Sequence, residues 1–81
     1  MTKDITISLE NTNQIRNFIQ MNTTSHCQVD VRSGHSYIDG KSIIGLLSLN
    51  LLKPLNVSVI GDSNKITALI HRYEECHLVA G

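Results

Sequence analysis

Few side chains in this chain are equipped for chemistry. Ser42 follows Lys41 and directly precedes an apolar-periodic run, so its hydroxyl stands where a helix N-cap belongs. Four histidines, His26, His35, His71 and His77, raise the question of metal binding or phosphoryl transfer. His71 and His77 are six positions apart, which puts them on different sides of a helix rather than at the i, i+4 spacing of a metal pair. Solvated or edge histidines are the expectation, and no metal site. Cys27 and Cys76 are the only cysteines and form no CxxC motif, so both are read as small core hydrophobes. There is no Gly-rich phosphate loop, no nucleophile elbow and no paired-carboxylate motif. Glu74-Glu75 falls on an ordinary exposed helix face. The residues point away from an enzyme, and no cofactor is implied.

The stretch that must position Ser42 runs from Asp39 to Asp62, DGKSIIGLLSLNLLKPLNVSVIGD. Asp39-Gly40 is a turn dipeptide. After Ser42, Ile43, Leu46 and Leu49 fall near one line of a helix, and Ile44, Leu47 and Leu51 near a neighbouring line. One line can face a core. The second is surplus for a small surface helix and suggests a contact surface for another protein. The helix is expected to stop near Asn50, and Pro54 forbids its continuation. Leu55, Val57 and Val59 alternate with Asn56 and Ser58 as a half-buried strand, which Gly61-Asp62 ends.

The remaining elements follow the same periodicities. Lys3 to Leu9 reads as a strand through Ile5, Ile7 and Leu9. Thr12 or Asn11 can cap a helix whose core stripe is Ile15, Phe18 and Ile19. That helix is expected to end around Met21-Asn22, with Thr23-Thr24-Ser25 as a loop. Cys27, Val29 and Val31 alternate with Gln28, Asp30 and Arg32 in a second strand. Ser33-Gly34 turns it into a third, His35 to Asp39, making a hairpin. Asp62 or Ser63 caps a last helix with Ile66, Leu69, Ile70, Tyr73 and then Cys76 or His77 on its stripe. Val79-Ala80-Gly81 is expected to fray. The order β-α-β-β-α-β-α, with one polar face per strand, indicates an antiparallel sheet covered on one side by helices.

Composition bounds the function. Eighty-one residues make one domain, and 41% apolar side chains suffice for one core built mainly of Ile, Leu and Val. Seven basic and seven acidic side chains give zero formal net charge, which argues against direct nucleic-acid binding or a membrane-surface role. No apolar run approaches the roughly 20 residues of a membrane span. The N-terminus does not read as a signal peptide, and the expected compartment is the cytoplasm.

This order, and the residues at its centre, resemble the HPr family, the small histidine-phosphorylatable carriers of the bacterial phosphoenolpyruvate-dependent sugar phosphotransferase system. Lys41-Ser42, then Ile43 and Ile44, then Leu46, Leu49 and Leu51, run without a gap against the family's Lys-Ser-Leu/Ile-aromatic/Met pattern. Asn50 falls where the family often has a helix-closing Gly, and Val57 and Val59 match the following strand. The resemblance covers nearly all of residues 1–81. It implies an α+β open-faced β-sandwich, four antiparallel strands with three helices on one face.

One departure shapes the functional expectation. Aligning Phe18 with the family's helix aromatic puts Asn11 at the phosphoacceptor His, Thr12 on the next position, Asn13 on the Arg and Gln14 on the Pro. An amide nitrogen is not a useful nucleophile at neutral pH, whereas imidazole is. The Arg that would pair with phosphoryl oxygens is also missing. Ser42 matches the family's regulatory serine, which a bacterial ATP-dependent kinase phosphorylates. A Crh-like variant lacks the active His, keeps this Ser and acts with a transcription regulator in carbon catabolite control. The resemblance therefore implies a regulatory or binding module acting through Ser42. Lys41, Ile43, Ile44 and Leu47 would form the partner-binding rim, with Thr12 as a further contact. The partners implied are phosphotransferase-system proteins or their regulators, a serine kinase or a transcription regulator. Two alternatives stay open: a phosphocarrier with an altered phosphoacceptor, for which His26 or His35 are candidates, and a structural interaction domain in which Ser42 is only a cap.

Overall fold

Alternating apolar residues in four short segments build the sheet. In the computed structural model, which describes residues 1–33, 36–47 and 54–80, the strands are β1 (Thr2–Ile7), β2 (Gln28–Ser33), β3 (Ser36–Asp39) and β4 (Leu55–Ile60). The helices are α1 (Thr12–Thr24), α2 (Ile43–Leu47) and α3 (Ser63–Glu75). The side chains of Ser33, Ser36 and Ile43 lie outside the described residues, as do Gly34, His35 and Leu49, Asn50 and Leu51, the residues expected to end the second helix. The strands pair in the order β1-β4-β2-β3, all antiparallel. Element order and topology are those of an open-faced α+β sandwich.

The register separates the two faces. Ile5, Val57, Val31 and Ile38 lie in one row across all four strands, with Val29 and Val59 paired in the next. This face meets Ile15, Phe18 and Met21 of α1, Leu46 of α2, and Ile66, Leu69 and Tyr73 of α3 in one core. The rings of Phe18 and Tyr73 lie 5.3 Å apart, tilted by 39°. The opposite face carries the row Asp4, Ser58, Asp30, Asp39. There Ser58 Oγ donates to Asp4 Oδ1 at 2.7 Å.

Four expectations are corrected. First, α1 does not stop at Met21-Asn22 but runs through Thr24. Thr24 Oγ1 donates to Gln20 O at 3.0 Å, and Ser25 Oγ to Asn22 O at 2.7 Å. The polar Thr-Ser run thus satisfies last-turn carbonyls instead of forming a loop. Second, β1 stops at Ile7, although Leu9 is still buried. Third, Cys76 is exposed while Cys27 is buried. Cys76 is the C-cap of α3, so the apolar stripe leaves the helix before reaching it. Fourth, the segment after α3 does not fray through Val79 and Ala80. Leu78 is buried, Ser8 N donates to Leu78 O at 2.8 Å, and Ala80 N donates to Thr6 O at 3.0 Å. This segment covers the outer edge of β1, where unpaired backbone groups would otherwise stand.

Both long helices close on a histidine in the left-handed conformation: His26 has φ 59° and His77 φ 58°. At α3 the closure is a Schellman motif, with Leu78 N donating to Tyr73 O and His77 N to Glu74 O, both at 3.0 Å. Leu78 and Tyr73, the two positions joined by the first of these bonds, are both buried in the core. A side chain with a Cβ is strained at that φ, and glycine is not. Relief of that strain outweighs the extra chain entropy of glycine, so His77→Gly is expected to stabilise the protein by up to roughly 1 kcal/mol in urea unfolding. A loss of stability would contradict this account of the helix end.

Candidate functional site

The sequence-derived site residues fall in two places. The first is the N-terminus of α1. Asn11 has extended backbone (φ −152°, ψ 171°), and its Oδ1 accepts from Gln14 N at 2.9 Å. Gln14 Oε1 in turn accepts from Glu10 N at 2.5 Å. This reciprocal arrangement resembles a capping box shifted by one residue. Asn11 and Thr12 are exposed, and Glu10 to Gln14 contains no basic or imidazole side chain. The side chains here offer hydrogen-bonding amides and the Thr12 hydroxyl, with no imidazole.

The second place is the turn into α2. Lys41 N donates to Asp39 Oδ1 at 2.9 Å, and Ser42 N donates to Asp39 O at 3.0 Å. Ser42 is half-buried, and its Oγ accepts from Gly45 N at 3.3 Å, a long bond for an N-cap. Lys41 is exposed beside it. Ile44 is 81% exposed and Leu47 53%, while Leu46 is fully buried. Over its described length α2 thus turns Leu46 into the core and two large apolar side chains into solvent. Gly45 allows this seating: a Cβ there would come within 2.6 Å of Ile38 Cγ2 on β3. The partner role expected for the Ile43 side chain lies outside the described residues.

The two places touch opposite ends of α1. Asn11 caps its start, whereas the turn before Lys41 touches Asn22, about 16 Å further along the axis. Asn22 and Tyr73 were not singled out as a pair from the sequence. Both are fully buried; Tyr73 OH donates to Asn22 Oδ1, and Asn22 Nδ2 donates to Gly40 O at 2.6 Å. The available signal was a tyrosine on an apolar stripe, whose hydroxyl must find a partner when buried.

The other polar side chains are scattered. His26, His71 and His77 are exposed, on a helix end, the surface of α3 and another helix end, and His35 lies outside the described residues. His71 Nε2 lies 2.6 Å from Glu75 Oε1, an exposed i, i+4 pair. Among the described residues no group of three or more His, Cys, Asp or Glu side chains is placed to hold a metal ion. A surface concavity of about 610 Å3 beside β3, touching His26, Asp30, Tyr37, Asp39 and Lys41, reaches the Ser42 turn through Asp39 and Lys41. No described helix is long and apolar enough to cross a membrane.

The architecture is that of the HPr phosphocarrier proteins. The structure of HPr-C-His from Thermoanaerobacter tengcongensis superposes with a TM-score of 0.70, covering 93% of this chain and 92% of that one, at 23% identity. That of a phosphocarrier protein HPr from Bacillus anthracis str. Ames superposes with a TM-score of 0.60, covering 90% of this chain and 95% of that one, at 22% identity. At such identities the likeness is one of fold. No family model and no curated protein sequence matches the chain.

Tyr73 gives this region a pH signature. Burial disfavours its phenolate, the neighbouring Cys27 adds to the effect and Arg72 opposes it, so the phenol titrates well above its ordinary range. Above pH about 10 an unfolded tyrosine loses its proton and the folded one keeps it. The stabilisation is therefore present below that pH and lost as pH rises further. Wild-type unfolding free energy is expected to carry a Tyr73 component falling by up to roughly 1.4 kcal/mol per pH unit above pH 10. Tyr73→Phe should lack that component in urea titrations across the range. Parallel pH profiles for the two proteins would refute it.

Proposed function

We propose that the chain is an HPr-like regulatory or binding module of the bacterial sugar phosphotransferase system, working in the cytoplasm through Ser42 and the adjacent apolar surface rather than as a His phosphocarrier. The observation that carries this reading is the exposure of Ile44 and Leu47 beside Ser42 and Lys41, on a helix whose Leu46 is fully buried. Large apolar side chains side by side in solvent, with a cation and a modifiable hydroxyl at their edge, suit a protein partner. The HPr architecture supports the system to which that partner belongs. The cap of Asn11 and Gln14 on α1, with no imidazole or arginine, argues against the phosphoenolpyruvate-linked relay. The fitting partners are a serine kinase, a transcription regulator or another protein of that system. Phosphate on Ser42 would bring roughly −1.5 to −2 charges beside Lys41, changing what the apolar rim meets.

Intact mass after two separate incubations tests this reading. ATP with a bacterial HPr kinase is expected to add one phosphate, absent in Ser42→Ala. Phosphoenolpyruvate with the first enzyme of the system is expected to add none. Phosphate from phosphoenolpyruvate, or none from the kinase, would overturn it. The apolar surface has its own test. In Ile44→Glu the new carboxylate stays in water, so stability is expected to change by less than about 0.5 kcal/mol while affinity for a regulator falls. Unfolding of that variant would place Ile44 in the core instead.

A further inference from the structure

The buried amide of Asn22 links two elements far apart in sequence. Its Oδ1 can only accept, so Tyr73 OH is the donor, and the Nδ2 group is left facing Gly40 O at 2.6 Å. Gly40 is held on several sides at once. Its N–H donates to Val29 O at 2.7 Å, and a Cβ would come within 2.6 Å of Val29 Cγ1 and 3.0 Å of Asn22 Nδ2. Lys41 and Ser42 follow directly, both bonded back to Asp39. The backbone that presents Ser42 is therefore braced from beneath by a side chain of α1, whose orientation is set by a hydroxyl on α3.

We infer that Asn22 and Tyr73 are positioning residues for the Ser42 turn: α3 holds Lys41, Ser42 and the outward face of α2 in place through Tyr73 OH, the Asn22 amide and the Gly40 carbonyl. The functional consequence rests on the proposed role of Ser42; the mechanical link does not. Losing the hydroxyl frees the amide to rotate, the Gly40 carbonyl loses its fixed donor, and the turn gains freedom while α3 keeps its packing.

Tyr73→Phe tests the link, since it removes one oxygen and leaves the ring. Ile66→Val, a mild change in the core of the same helix away from the amide, is the control. In Tyr73→Phe, amide hydrogen exchange at Gly40, Lys41 and Ser42 is expected to accelerate by a factor of roughly 2–10 beyond the change in global stability read from the β4 amides. Changes confined to α3 and Asn22, or the same pattern in Ile66→Val, would overturn the link. The functional consequence is read as kcat/KM for Ser42 phosphorylation by the kinase with ATP, at a temperature where both variants are folded. It is expected to fall in Tyr73→Phe and not in Ile66→Val; equal values would overturn the positioning role. A wild-type chain that takes no phosphate would overturn the proposed function, while the exchange pattern would still decide the link.

Discussion

One buried amide ties together the parts of this domain that the chain leaves far apart. Asn22 lies at the core-facing end of α1 with no access to solvent, and a polar group there is costly unless every strong partner is found. It finds them in Tyr73 of α3, 51 positions away, and in Gly40 of the turn before α2. The amide thereby joins α1 to α3 and to the turn that leads into α2. Apolar packing supplies most of the stability of a small domain, but it is non-directional. Directional contacts between the helices are this buried amide and, on the surface, Arg72 Nη1 donating to Thr24 Oγ1 at 2.9 Å; the choice of glycine at position 40 follows from how closely the amide approaches.

The exposure of Ile44 and Leu47 follows from the same geometry. Gly45 packs against Ile38 of β3, Leu46 drops into the core, and the flanking positions are left outward by the 100° step of a helix. The apolar surface is thus a consequence of how α2 is seated, with Ser42 at its head. At the far end of α1, the side chains of Asn11 and Gln14 are spent on local capping. The proposal of a binding module rather than a phosphoryl relay rests on the contrast between this self-satisfied cap and the open apolar rim.

Much of the fold is legible in the sequence because periodicity and burial agree element by element. Val29 and Val31, Leu55, Val57 and Val59, and the Ile15-Phe18 and Ile66-Leu69-Tyr73 stripes all face the core. Asn11 and Asp62 cap as their residue types imply. What is not legible depends on tertiary partners. The extra turn of α1 rests on Thr24 and Ser25 bonding back to their own helix, which the same residues in a loop would not do. Leu78 stays in the core because the Schellman closure at His77 directs the chain back along β1, where backbone bonds from Ser8 and Ala80 hold it. Position alone did not reveal that Cys76 lies outside the stripe that Tyr73 ends. The Asn22–Tyr73 pair is invisible to any local pattern, although a tyrosine at a core position announces that a partner exists somewhere.

A double-mutant cycle on that pair tests most directly whether the amide is the constraint that sets the helices. Urea unfolding of wild type, Asn22→Leu, Tyr73→Phe and the double variant gives the coupling. Each single change strands a buried polar group, and the double change strands fewer, so the double variant is expected to lose about 1–2 kcal/mol less than the sum of the singles. Additivity within about 0.5 kcal/mol would contradict the account, leaving the arrangement of the helices to apolar packing alone.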